Sequence, residues 1–359
     1  MSLNQFYKLN LFVILSTISA NYQFAFPISI LSESSMGYDS NFLKLSERDK
    51  LYGEVYPELI GDANSTSSIV GKQKFSISLK PQLFEYDTRV FLSIRSNLYF
   101  ALDAKNYNSY NLKVSQNFGN YKWLKVNYIY TPYNYLREYY DRDNSQIYYV
   151  EGSSFSASER DSAATYGREK ITIEFSYPIQ NMRSTWMIAS VAKEAQYYNQ
   201  NFTEFNLNKL SRQFELNYQS KNKSVIRFAY IYGNAINTNF NSQLSSTYFD
   251  RSYNFDKVQV KITFNKKIYK ITKFGIQAYI ENRFYDLKSI RYSIDNWKIY
   301  NDGLLKYWFD LDLYDNVDIK ISHQYRWRDA KSQLYGDFEW IEDVKSYYKH
   351  EVWIEFSFN

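Results

Sequence analysis

The chain has 359 residues and sets 43 Lys and Arg against 38 Asp and Glu, a formal charge of +5 that does not by itself indicate a nucleic-acid partner. Aromatic residues make up 20% of it, Gly is only 11 and Pro only 5, and the mean hydropathy is -0.54. These values exclude a disordered chain, a collagen-like or low-complexity chain and a bundle of membrane helices, and the absence of cysteine excludes disulfide frameworks, thiolate metal sites, thiol nucleophiles and c-type haem attachment.

The N-terminus carries Lys8, then the apolar run from Leu11 to Ala20, then a polar Asn-Tyr-Gln. That layout predicts a secretory signal peptide over residues 1–20, with the mature chain starting near residue 21. The run is too short to span a bilayer as a helix, which takes about 20 apolar residues. Residues 21–48 read as a periplasmic lead-in with no legible chemistry.

From about Gly71 onward the chain repeats one unit, a stretch of apolar/polar alternation followed by a turn. Ile171, Ile173, Phe175 and Tyr177 alternate with Lys170, Thr172, Glu174 and Ser176; Val258, Val260, Ile262 and Phe264 alternate with Lys257, Gln259, Lys261 and Thr263. Period two, with β-branched and aromatic residues prevailing, is the strand signal. It predicts strands over 72–86, 88–101, 107–118, 120–136, 166–178, 182–197, 203–219, 223–235, 253–266, 270–285, 299–313, 316–329 and 345–358. Such lengths exceed the five or six residues usual in soluble proteins and suit tilted strands that cross a bilayer.

The connections alternate between short turns, such as Asp87, Gly119 and Ser220–Asn222, and long segments such as Arg137–Thr165 and Asp286–Lys298. That asymmetry belongs to outer-membrane barrels, with the short side periplasmic. An even strand number requires one more ascending strand, and 49–59 (reading on from Lys50 as KLYGEVYPEL) is the segment available for it. The expectation is therefore an all-β, transmembrane antiparallel up-and-down barrel of about 14 strands over residues 49–359.

The last strand, from Tyr348 to Asn359 (YKHEVWIEFSFN), resembles the C-terminal strand of Gram-negative outer-membrane β-barrels, although Asn359 follows the aromatic Phe358. The resemblance implies an outer-membrane location, contact with outer-membrane lipids, and recognition of this strand by the barrel assembly machinery. Residues 285–358 also loosely resemble the terminal hairpins of barrels from polysaccharide-secretion and surface-protein-delivery systems, through Gly303, Leu304 and Tyr307 and then Tyr325 to Arg328.

In this register the outward set is apolar and ends in two aromatic girdles. Tyr128, Tyr130, Tyr230, Tyr232, Tyr325 and Trp327 form the extracellular one, and Tyr177, Phe264 and Phe358 belong to the periplasmic one. The inward set collects charge. Its basic members include Arg95, Lys113, Lys125, Arg227, Lys261, Arg283, Lys320, Arg326 and Arg328, and its acidic members include Glu174, Glu215 and Glu281. Arg95, Lys125, Arg227, Lys261 and Lys320 are expected to ring the lumen with unpaired charge, which suits an anion-preferring pore. Alternatively, the same residues pair with Glu174, Glu215 and Glu281 and fill a narrow barrel.

His323 and His350 are the two histidines, both outward, and face one another if the last hairpin pairs with residue numbers summing near 673. Ser322 and Ser357 point inward, so no serine is expected beside them for a hydrolase triad. Asp310 and Asp312 share one face, a spacing that could suit a cation but that lumen salt bridges explain more simply. Loops 141–165 and 236–252 are rich in amide and hydroxyl groups that suit sugar recognition. No catalytic, cofactor or metal motif is present. The expected function is an outer-membrane channel or porin-like protein with a basic lumen for small anionic or sugar-like solutes. The alternatives are a component of a polysaccharide or protein secretion system, or a filled structural or surface-binding barrel. An enzyme is not expected.

Overall fold

The structure is a computed structural model that describes residues 28–55, 60–61, 63–83, 86–138, 147–150, 153–156, 163–180, 182, 184–199, 205–239, 251–285, 298–314, 317–332 and 345–358. The predicted signal peptide lies outside the described residues. Fourteen long strands form the barrel: β1 (Ile28–Asp39), β2 (Ser68–Leu79), β3 (Tyr86–Tyr99), β4 (Tyr107–Asn117), β5 (Trp123–Glu138), β6 (Ala163–Pro178), β7 (Thr185–Tyr198), β8 (Leu207–Gln219), β9 (Val225–Asn237), β10 (Tyr253–Ile268), β11 (Ile271–Tyr285), β12 (Lys298–Tyr314), β13 (Val317–Ser332) and β14 (Tyr347–Phe358). Each pairs antiparallel with its neighbours in sequence. β1 also pairs with β14, from Ser32 opposite Phe358 to Asp39 opposite Glu351, which closes the sheet. A closed barrel leaves no unpaired strand edge, the condition for crossing a bilayer with strands. Among the described residues no helix is long and apolar enough to cross a membrane.

The strands from β3 onward match the sequence expectation to within about four residues. β2, expected over 72–86, instead runs from Ser68 to Leu79, and Asp87, expected as the turn after it, lies inside β3. The first strand does not match. Residues 28–39, expected in the lead-in, form β1, and the expected strand at 49–59 instead begins with helix α1 (Glu47–Val55). The Ser46 Oγ accepts a hydrogen bond from the Asp49 backbone N–H at 3.0 Å, an N-cap, and Glu47 and Asp49 put negative charge in the first turn. The apolar outer stripe of β1, with Ile28, Ile30, Met36 and Tyr38, is interrupted by Ser32 and Ser34. Their hydroxyls are hydrogen-bonded to the Gln73 side chain on β2, at 3.2 and 2.7 Å, so the polar atoms are satisfied within the sheet.

The periplasmic turns are tight. Left-handed backbone conformations occur at Gly119 and Tyr121 between β4 and β5, at Ser184 between β6 and β7, at Lys223 between β8 and β9, and at Tyr269 between β10 and β11. On the opposite side, the long connection from β1 to β2 folds into the barrel mouth. Phe42, Leu43 and Leu45 bury themselves with Ile60 and Ala63 against Tyr135 of β5 and Tyr99 of β3. The buried Asn41 staples this loop, its Nδ2 donating to the carbonyls of Leu45 (2.7 Å) and Tyr348 (3.3 Å) while its Oδ1 accepts from the Leu45 N–H (2.8 Å).

The outer face is apolar. Ile173 on β6 is 52% exposed, Phe228 on β9 48% and Ile280 on β11 55%, exposures that only a hydrocarbon solvent makes favourable over so wide a belt. Aromatic contacts mark both rims. Tyr110–Tyr130, Tyr230–Tyr232 and Tyr325–Trp327 stack toward the extracellular side, and Phe264–Phe274–Phe309 and Phe175–Tyr177 toward the periplasmic side. The backbone of Phe358 pairs with Ser32 and Val317, and its side chain lies outside the described residues.

Three tryptophans lie across directly paired glycines: Trp327 over Gly303, Trp308 over Gly275 and Trp353 over Gly37. A Cβ at Gly303 would stand 2.0 Å from the Trp327 ring, so the indole could not stay. Gly303→Val is expected to destabilise the barrel by about 1–3 kcal/mol, read from its urea-unfolding midpoint in lipid vesicles.

Candidate functional site

Alternation that sends apolar side chains to lipid sends their neighbours inward, and at the extracellular half these converge on a cavity of about 640 Å³. Its wall takes residues from β5 through β13, an arrangement that only the barrel interior allows. Arg168 and Lys170 come from β6, Glu194 from β7, Lys209 from β8, Lys257 from β10, Glu281 and Arg283 from β11, and Arg328 from β13, while Lys44 projects from the inward-folded loop.

One side of this chamber is a chain of alternating charge. Lys257 lies 3.8 Å from Glu281, whose other oxygen accepts from Arg283 Nε at 2.8 Å. Arg283 also reaches Asp302 at 3.2 Å, and Arg328 holds both Asp302 oxygens, at 2.8 and 3.2 Å. Bidentate pairing of this kind fixes geometry as well as charge. Across the chamber Arg168 pairs with Glu194 at 2.7 Å. Lys44, Lys170 and Lys209 make no ion pair among the described residues, so the chamber keeps a surplus of positive charge. Enclosure inside the barrel, together with Lys349, Arg326, Lys105 and Arg328, lowers the pKa of Lys44, although its side chain stays open to solvent in the chamber. Three of the chamber cations stand on aromatic faces. Lys209 Nζ is 3.8 Å from the centre of the Phe255 ring, Lys257 Nζ 3.5 Å from that of Tyr279, and the Arg328 guanidinium 4.7 Å from that of Tyr300.

The structure brings Glu281, Arg283 and Arg328 into this chamber; the remaining lumen positions lie lower or to one side. Arg227 and Lys261 face each other directly across β9 and β10, two like charges, with Lys261 Nζ 5.1 Å from the centre of the Trp308 ring. Lys113 stands opposite Phe91 and Asn127, and Arg95 opposite Lys74 and Ser109. Glu215 accepts from Gln213 Nε2 at 3.1 Å. Two members of the expected unpaired ring are paired: Lys125 with Glu174, and Lys320 with Asp310 at 3.7 Å. Both partners lie directly opposite in neighbouring strands, a register the sequence does not state. Arg326 lies 3.6 Å from Glu351.

Sequence reasoning missed Lys44, Arg168, Glu194, Lys209 and Asp302. Lys44 sat in the supposed lead-in, and alternation near Asn206–Ser211 and before Ala192 is too weak to choose a face. The Asp312 side chain, and most of loops 141–165 and 236–252, lie outside the described residues.

The two histidines are outward, with Nε2 of His323 3.2 Å from Nδ1 of His350. They are diagonal rather than directly opposite. Tyr325 pairs with His350 and His323 with Val352, so the residue numbers sum two higher than expected. Their rings sit between Tyr307 and Tyr325, with centroids 5.0 and 4.8 Å away, and Ser322 is buried on the other face.

Pairing, closure and apolar belt together decide the class. The chain folds as a transmembrane β-barrel of the bacterial outer-membrane type. No protein-family model and no curated protein matches its sequence. Among solved structures it is similar to the outer membrane channel DcaP of Acinetobacter baumannii, at 10% identity and a TM-score of 0.47, covering 94% of this chain and 99% of that one. It is also similar to OmpT, an outer membrane protein of Vibrio cholerae (10% identity, TM-score 0.45, 94% and 98% covered). A third is an anion-selective porin from Comamonas acidovorans (8% identity, TM-score 0.39, 93% and 100% covered). These likenesses are remote, and the architecture rests on the strand pairing itself.

Proposed function

We propose that the barrel is an outer-membrane channel that favours small anionic solutes, acidic sugars among them. The observation that carries this reading is the chamber in which Lys170 and Lys209 make no ion pair among the described residues, with Lys209 standing on the face of Phe255. Fixed cations in a confined aqueous space raise the local anion concentration, and flat aromatic rings give sugar rings an apolar surface. The inward-folded loop narrows the same passage, so solutes pass along the charged wall. Assembly into the outer membrane would proceed through recognition of β14, whose outward Tyr348, Val352 and Ile354 present an apolar stripe.

Reversal potentials across planar bilayers in a chloride gradient test the proposal. Anion preference is expected at ~0.1 M salt and a weaker one at ~1 M, where the Debye length has shrunk to about 3 Å. Lys170→Glu combined with Lys209→Glu should abolish or invert it. A silent wild-type barrel would instead favour the filled structural reading, and an unchanged preference in the double variant would remove the chamber as its source.

A further inference from the structure

The outer face holds charges that the channel reading does not use. On neighbouring strands, outward positions carry Glu169 (β6), Lys193 (β7), Arg212 (β8) and, two strands further, Asp256 (β10). Lys193 and Arg212 are diagonal neighbours: Lys193 is paired with Leu210, and Arg212 with Val191. Both are exposed, and neither makes an ion pair among the described residues. Glu169, paired with Ala195, is likewise a diagonal neighbour of Lys193 but makes no ion pair with it among the described residues, and Asp256 is separated from Arg212 by Tyr232. Elsewhere on this face Lys331 is neutralised by Asp329 at 3.1 Å.

Their level is fixed by the girdle. Arg212 is directly opposite Tyr232, with its guanidinium 5.8 Å from the centre of that ring, and Tyr232 stacks on Tyr230. Lys193 and Tyr128 flank the same residue, Ile171. Arg212 thus stands between the apolar row of Ile173 and Val191 on one side and girdle Tyr232 on the other, and Lys193 lies two residues beyond Val191 toward the surface. Both side chains therefore start at the edge where hydrocarbon gives way to headgroups. A cation facing lipid is costly unless it reaches the interface and finds an anion there, and long basic side chains reach in this way. The sheet carboxylates nearest the two cations, Glu169 and Asp256, form no ion pair with either among the described residues. The outer-leaflet headgroup is the remaining source, and adjacent Lys and Arg suit a phosphate.

We infer that Lys193 and Arg212 form a binding site on the lipid face for a phosphate group of an outer-leaflet glycolipid. The flanking carboxylates, Glu169 and Asp256, lie on the outer sides of the pair and leave the ground between the two cations positive.

Native mass spectrometry of the folded, detergent-purified barrel tests this with diphosphorylated lipid A and its dephosphorylated form as probes. The wild type should retain the phosphorylated lipid and bind the dephosphorylated form about thirtyfold more weakly, the loss expected for two interfacial cations. Lys193→Gln with Arg212→Gln should bind the phosphorylated lipid about thirtyfold more weakly than the wild type does, while Lys331→Gln, whose cation already has a partner, should bind as the wild type does. Equal retention of both lipids by the wild type would overturn the inference without reference to any variant. So would unchanged binding of the phosphorylated lipid by a folded double variant. Should the double variant fail to fold, the comparison of the two lipids on the wild type decides alone.

Discussion

Replacing Lys349 by Met should cost the barrel about 3–5 kcal/mol of stability, the largest single-site loss expected from the described charges. Lys349 lies on β14 with its Nζ 2.7 Å from Asp39 Oδ2 and 2.7 Å from Glu351 Oε1. The three side chains are only 6%, 4% and 7% exposed. Asp39 and Glu351 are directly paired across β1 and β14, so the lysine is the counter-ion for two carboxylates at the seam where the barrel closes. Without it, two carboxylates share a dry site with Arg326 reaching only Glu351, at 3.6 Å. The Trp353 indole adds one N–H to Glu351 at 3.1 Å, which does not neutralise a pair. Urea unfolding in vesicles, followed by the mobility of the unheated protein on a denaturing gel, would measure the loss. Replacing all three residues by apolar ones of similar volume should restore most of it, because the cost lies in the uncompensated charge rather than in the missing bonds. A loss below about 1 kcal/mol would mean that water reaches the seam.

Arginine at Ile173 should destabilise by about 2–4 kcal/mol, whereas arginine at the adjacent Thr172 should be nearly neutral. Ile173 is 52% exposed and is paired with Val126 and Val191, a row of β-branched side chains that belongs in hydrocarbon. Thr172 lines the aqueous chamber, where another guanidinium stays hydrated. The comparison isolates the facing of the strand, since the two substitutions share backbone, depth and chemistry. Refolding yields and unfolding midpoints in vesicles of defined lipid should separate the two variants. Equal tolerance would mean that β6 does not face lipid.

Much of the molecule was legible in the chain itself. Period-two alternation reports facing one strand at a time, and facing is a local property. It therefore placed the strands from β2 to β14 and their apolar faces, and it set Glu281, Arg283 and Arg328 on the inner surface. Where outward residues are polar, as with Ser32, Ser34, Lys193 and Arg212, the same signal fails. β1 was lost for that reason, and α1 was read as a strand although Ser46, Glu47 and Asp49 spell a helix start.

Only the tertiary structure decided which charges meet. The pairing of Lys125 with Glu174 and of Lys320 with Asp310, the alternating chain from Lys257 to Arg328, and the freedom of Lys170 and Lys209 all depend on inter-strand register. So does the offset of His323 from His350. Register is set by turn geometry and by closure of the whole ring, through contacts between residues far apart in the chain. No window of sequence holds both sides of such a contact, which is why alternation could say which way a lysine points and not what it finds there.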